Sequence, residues 1–148
     1  TNLVDIAPTV LTATGLPVPA GLPGRDLVAL AAEPDDEQRP GFSEYHAVGS
    51  PGAAYMLRQG PWAYHYYVGF APELFDVHAD PDQHHDLAAD PAHADVLQRM
   101  ASLLAQTLDP EQVDRRAKDD QNALVARAGG RDKALQTGPQ GATPAPPV

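Results

Sequence analysis

Three short aromatic-rich runs, set close together and separated by turn residues, constrain this chain more than any other feature. They are Phe42 to Ala47, Ala53 to Gln59 and Trp62 to Tyr67, divided by Gly, Ser and Pro. Such runs favour extended backbone and the spacers favour reversal, so neighbouring strands are predicted. Gly60-Pro61 suits a two-residue type II′ turn, Gly taking the positive φ of the first central position and Pro the negative φ of the second. Glu73-Leu74-Phe75-Asp76 reads as a fourth, shorter strand. Asp90-Pro91 then opens a helix, with an acidic cap and a proline where its missing N–H costs nothing. On that helix Val96, Leu97, Met100, Leu103 and Leu104 form one apolar stripe suited to covering a face of the strands. The expected class is α+β, a small antiparallel sheet of about four strands covered by a helix.

The flanks are less regular. Leu3, Ile6, Val10 and Leu11 lie near helical spacing, with Asp5 and Pro8 fit for a first turn and Gly15 for a C-terminal cap, which predicts a short buried helix over about Leu3 to Thr14. Pro- and Gly-rich turns follow, Asp26 is placed to cap a short turn through Leu30, and Glu33 to Pro40 is an acidic loop. Asp109-Pro110 starts another helix, with Gln112 placed for a capping box and Gly129-Gly130 as its end. This helix is weakly apolar, so burial within the chain cannot hold it and its partner is open. From about Thr137 to Val148 the composition is Pro, Gly, Ala and Thr, which predicts an extended or disordered tail.

The charge balance removes some function classes. Twenty acidic against ten basic residues give a net charge of −10, which opposes nucleic acid and anionic membrane surfaces at long range. No apolar run approaches a membrane span. The absence of cysteine excludes disulfides and a cysteine nucleophile in these residues and leaves the compartment open, cytoplasmic or periplasmic. The chain begins Thr1-Asn2-Leu3, without an initiator Met or an export segment, so a fragment or a processed form is expected. The nucleophile elbow, the phosphate-cradling loop and the zinc helix motif are all missing.

Two polar clusters carry possible chemistry. His78, Asp80, Asp82, His84, His85, Asp86 and Asp90 are metal-capable types in one loop, but no known ligand spacing is matched, and an Asp-Pro turn region facing water is the expectation. Phe42-Ser43-Glu44-Tyr45-His46 is different, because strand alternation puts Phe42, Glu44 and His46 on one face. Glu44 can pair with His46 and fix its imidazole, either as a substrate contact or as a satisfied polar pair holding the sheet against a neighbouring domain. Trp62, Tyr64 and Tyr66 share a face of the third strand and read as core.

Taken in order, several segments resemble the sulfatases. Val4-Asp5-Ile6-Ala7-Pro8-Thr9 with Gly15-Leu16-Pro17, then Gly24-Arg25-Asp26-Leu27, resemble the late helix of the sulfatase catalytic domain and the segment after it. Ser43-Glu44-Tyr45-His46-Ala47, Met56-Leu57-Arg58 and Gly60-Pro61-Trp62-Ala63-Tyr64 resemble strands of the small C-terminal sheet, where the family often reads Gly-Arg-Trp-Lys-Tyr; Pro61 and Ala63 replace the two basic residues. Glu73-Leu74-Phe75-Asp76 through Asp80-Pro81 and Asp86-Leu87-Ala88 resembles a further family element, with Asp86 where Asn is usual. The Glu-Tyr-His-Ala form and Asp120-Gln121 lean towards choline-sulfatase-like members.

The resemblance implies the C-terminal part of an enzyme that hydrolyses sulfate esters with a formylglycine nucleophile beside a divalent metal, usually calcium, neither of which is bound by this chain. It divides the chain into the end of a catalytic domain (1–32), a C-terminal subdomain (33–108), and a polar helix with a Pro-rich tail (109–148). The implied partners are the catalytic domain of the same polypeptide, a sulfate ester and further subunits of a homo-oligomer, with no nucleic acid and no membrane. His46 is expected to line or border the substrate cleft, oriented by Glu44. The alternative is a stand-alone, non-catalytic interaction module derived from such a subdomain.

Overall fold

A computed structural model describes residues 1–46 and 50–137. The four predicted strands form one antiparallel sheet in sequential order: β1 (Gly41–Tyr45), β2 (Ala54–Gln59), β3 (Trp62–Tyr67) and β4 (Glu73–Asp76). Gln59 pairs with Trp62 across the two-residue turn, and Gly60 has φ +56°. The proline at the second position forces negative φ, so the reversal is the expected primed turn. Register aligns Glu44 with Tyr55, Tyr55 with Tyr66, Leu57 with Tyr64 and Tyr64 with Leu74, which stacks the large side chains on one face.

That face is closed by α3 (Ala94–Thr107), reached through a single 3-10 turn over Pro91–His93 that Asp90 caps at the Ala92 N–H. Met100 and Leu104 are buried against Ala53, Tyr55, Leu57, Tyr64 and Leu74, with Val96, Leu97 and Leu103 packed around them. Burying each such side chain contributes about 1.5–3 kcal/mol, so this one contact outweighs any surface ion pair. On the opposite face only a small cluster of Ala63, Phe75 and Val77 is buried among the described residues. There the Ala63 methyl packs with Phe75 and Val77.

The remaining elements are α1 (Ile6–Ala13, preceded by a 3-10 turn over Leu3–Asp5), α2 (Leu27–Ala31), α4 (Pro110–Arg127) and α5 (Arg131–Thr137). The first helix forms where expected, but it is not buried: Leu3, Val4, Ile6 and Val10 are exposed. Among the described residues these side chains are left open to solvent. The helix is fastened instead by polar contacts on its other side. Asp5 is fully buried, and its carboxylate accepts from the Asn2 and Arg25 N–H groups at 2.8 and 2.9 Å and from Arg39 Nη2 at 2.6 Å. Thr9 Oγ1 donates to the Asp5 carbonyl and accepts from the Leu27 N–H. Gly24 has φ +96°, and a Cβ there would lie 2.3 Å from the Val4 carbonyl oxygen, so only glycine lets this segment close on the helix. The Arg39 guanidinium beside Asp5 holds its carboxyl well below the usual range.

The later motif is a turn framework. Asp86 Oδ1 accepts from the Leu74 and Ala88 N–H groups at 3.0 and 2.9 Å, and the Leu87 N–H donates to the Leu74 carbonyl. An asparagine oxygen would serve the same two donors, which explains why Asp and Asn interchange at this position. Asp109 caps α4 at the Gln112 N–H, and Gly129 and Gly130 end it with φ of +90° and +97°. The sequence reading had no counterpart for α5, and most of the predicted Pro-rich tail lies outside the described residues.

Met100 has no exposed surface, so Met100→Ala should destabilise the chain by about 2–5 kcal/mol in urea unfolding, whereas Leu135→Ala, at a position 71% exposed, should shift it by no more than about 0.5 kcal/mol.

Candidate functional site

His46 lies immediately after β1, an edge strand whose last pair is Tyr45 with Ala54. Its Nε2 is 3.3 Å from Glu44 Oε2, so the two predicted residues meet. The ring packs edge-on against Tyr55, with centroids 5.6 Å apart and planes at 79°, and Phe42 stacks on the same tyrosine. The predicted shared face of Phe42, Glu44 and His46 is therefore the face that carries the core. The His46 side chain is 22% exposed and that of Glu44 46%, so the pair sits at the rim and is not sealed. Buried Nδ1 finds no hydrogen-bond partner among the described residues. An imidazole with one nitrogen against a carboxylate and the other unsatisfied is neither a saturated structural pair nor a nucleophile. It can make one more hydrogen bond.

The base of this site comes from α4, which sequence reasoning left without a partner. Asp114 is 5% exposed, and its Oδ1 accepts from the Ala53 N–H at 2.8 Å while Oδ2 accepts from Lys118 Nζ at 2.7 Å. Gln121 Nε2 donates to the His46 carbonyl at 2.8 Å. The Tyr55 hydroxyl donates to the Pro110 carbonyl at 3.1 Å, and the Tyr66 hydroxyl donates to the Glu111 carboxylate. Burial pushes the Tyr55 hydroxyl up to about 12, with the charges of Glu44, Asp114, Glu111 and Asp109 adding to it. Tyr55 is thus a neutral donor at any physiological pH. Asp114 and Lys118 stand at i,i+4 spacing, but many exposed pairs do the same, so spacing alone could not mark this carboxylate as buried.

The His- and Asp-rich loop resolves differently. Asp76 Oδ1 accepts from the His78 and Ala79 N–H groups, and Asp80 Oδ2 accepts from the His85 N–H. The side chains of Asp82, His84 and His85 are 80%, 72% and 82% exposed. Among the described residues, no three His, Cys, Asp or Glu are grouped so as to hold a metal. His65, on the face opposite α3, pairs with Gln83 and stacks on Tyr67.

A four-strand meander closed on one face by a single helix, with an exposed apolar helix before it, is the architecture of a subdomain attached to something larger. The chain belongs to the N-sulphoglucosamine sulphohydrolase C-terminal family, whose sequence model matches residues 1–110. It is 37% identical over 100 residues to arylsulfatase K of Mus musculus, an alignment covering 60% of this chain and 18% of that protein. To the delta 4,5-hexuronate-2-O-sulfatase of Bacteroides thetaiotaomicron it is 32% identical over 132 residues, covering 84% of this chain and 26% of that one. The phosphonate monoester hydrolase of Agrobacterium radiobacter superposes with a TM-score of 0.54 at 28% identity, over 71% of this chain and 25% of that chain. The chain thus spans about a fifth to a quarter of the length of these relatives. It is similar to the C-terminal region of sulfatases.

The Lys118 ammonium, then the Ala53 N–H, hold the Asp114 carboxyl below its ordinary range against the opposing effect of burial. Folding therefore weakens proton binding, so the contribution of Asp114 is fully present above an unfolded pKa of about 3.9 and fades as pH falls through the lower folded value. The stability difference between the wild type and Asp114→Asn, read from urea unfolding, should accordingly be largest at neutral pH and shrink below about pH 4.

Proposed function

We propose that this chain is the C-terminal part of a sulfatase that hydrolyses sulfate esters, and that His46 borders the substrate cleft with Glu44 orienting it. The observation that carries the reading is the state of His46 within a family match over residues 1–110: partly exposed, paired at Nε2, and without a hydrogen-bond partner at Nδ1 among the described residues. A satisfied core pair would show neither exposure nor an orphaned nitrogen. The formylglycine and divalent metal of sulfatase chemistry have no fitting residues here, since the sequence has no Cys/Ser-x-Pro-x-Arg motif and, among the described residues, no three His, Cys, Asp or Glu are grouped so as to hold a metal. They belong to the catalytic part of the same polypeptide. The exposed apolar side of α1 is the edge that this part would cover. The family's basic pair is replaced by Pro61 and Ala63, so a role for the β2–β3 turn in holding an anionic group is not part of the proposal.

In the full-length enzyme, His46→Ala should lower kcat/KM for a sulfate ester roughly ten- to a hundredfold while leaving Tm nearly unchanged. A large fall in Tm with unaltered activity of the folded fraction would assign His46 to the framework. Activity on a phosphonate monoester exceeding that on the sulfate ester would overturn the substrate class.

The second half of α4 and α5 suggest assembly. Leu124 and Leu135 are 60% and 71% exposed, beyond the part of α4 fixed to the sheet. The sequence points to residues 109–148 as an arm that reaches a neighbouring subunit of a homo-oligomer; because Asp114 and Gln121 tie the first part of α4 to this chain's own Ala53 and His46, we infer that the arm begins after about Asn122. Truncation after Asn122, which spares Asp114 and Gln121, should reduce the mass in light scattering; an unchanged oligomer would refute the arm.

A further inference from the structure

We propose that α4 is a positioning clamp for the connection that carries His46, with Asp114 and Gln121 as its two grips. The inference rests on the reading of His46 as a substrate contact, and its structural half is tested separately from that reading.

The last β1–β2 pair is Tyr45 with Ala54, so His46 and Ala53, next along the chain from each, are the two feet of the connection between the strands. Each foot is gripped by one α4 side chain: the His46 carbonyl by Gln121 Nε2 and the Ala53 N–H by Asp114 Oδ1, both at 2.8 Å. Asp114 and Gln121 are seven residues apart, two helical turns, which puts them on one face of α4 about 10 Å apart along the axis. A third tie sets the ring itself, because Tyr55, on which the imidazole packs, donates its hydroxyl to the Pro110 carbonyl at the start of α4. Backbone and ring of His46 are thus both referenced to one rigid helix.

The contacts that hold α4 to the sheet are themselves informative. The helix is polar, and it is tied to the sheet by hydrogen bonds at the feet of this connection and at the Tyr55 and Tyr66 hydroxyls. Hydrogen bonds contribute modest net stability but fix distance and direction, and the Asp114 bond is charge-assisted because Lys118 keeps the carboxylate ionised. Such a helix sets geometry more than it adds stability. Both grips lie beyond residue 110, where the match to the family model ends.

The test uses the full-length enzyme carrying Gln121→Ala, Asp114→Ala or Asp114→Asn, with hydrogen exchange followed by mass spectrometry alongside steady-state kinetics on a sulfate ester. Exchange in the peptide 44–54 should speed up about tenfold in Asp114→Ala, while peptides 55–67 and 94–107 keep wild-type rates. Asp114→Asn should restore most of the protection, since its amide oxygen can accept the same Ala53 N–H. Gln121 is exposed, so Gln121→Ala should keep the wild-type Tm yet lower kcat/KM several-fold, and this loss should vanish when His46→Ala is already present. Unchanged exchange at 44–54 in Asp114→Ala, no rescue by Asn, or acceleration spread over the whole sheet would each overturn the clamp. A persistent Gln121→Ala effect in the His46→Ala background would overturn its action through His46. If His46→Ala by itself leaves kcat/KM unaltered, the substrate-contact reading fails, and the clamp stands or falls on the exchange data alone.

Discussion

The structure depends on one burial event, the laying of Met100 and Leu104 into the face of the sheet made by Tyr55, Leu57, Tyr64 and Leu74. A four-stranded meander has two faces, and an isolated sheet of this size cannot hold itself together with both exposed to water. Closing one face with α3 fixes the register, because a one-residue slip would turn the whole aromatic stripe outward. α4 meets the sheet at Ala53, His46 and the Tyr55 and Tyr66 hydroxyls.

Around this core the chain uses its many carboxylates as acceptors for backbone N–H groups. Asp5 takes two N–H groups and an arginine, Asp86 takes two more, Asp90 and Asp109 cap helices, and Asp114 takes Ala53. Each bond supplies a partner to a donor that would otherwise be orphaned at a loop or helix end. The net charge of −10 therefore reflects in part an acidic framework holding turns together. The same accounting explains the motif segments near the N-terminus: Gly24, Arg25 and Leu27 close onto Val4, Asp5 and Thr9 through one close approach and two hydrogen bonds.

The exposed side of α1 and the His46 Nδ1 are features that burial and hydrogen bonding among the described residues leave unmet. Both agree with the proposed docking of this subdomain on a catalytic part. A shape and a chemical gap occur at the same end of the molecule's story: an apolar helix awaiting a covering surface and an imidazole awaiting a donor or acceptor.

Local pattern alone carried the four strands, the primed turn at Gly60-Pro61, the caps at Asp26, Asp90 and Asp109, and the covering stripe on α3. These are set by short-range sterics, by side-chain periodicity and by N–H groups a few residues away, all visible in a window of a dozen residues. The pairing of Glu44 with His46 was legible for the same reason, two positions apart on one strand face. The partner of α4 was not. Asp114 meets Ala53 across 61 residues and Gln121 meets His46 across 75, and nothing in a polar helix says which of its carboxylates will be buried. The exposure of α1 was equally invisible, because an apolar stripe states that a face can be buried but not whether this chain contains the surface to bury it. Those two facts were decided only by the tertiary structure, since they depend on which distant elements pack first and leave room for the rest.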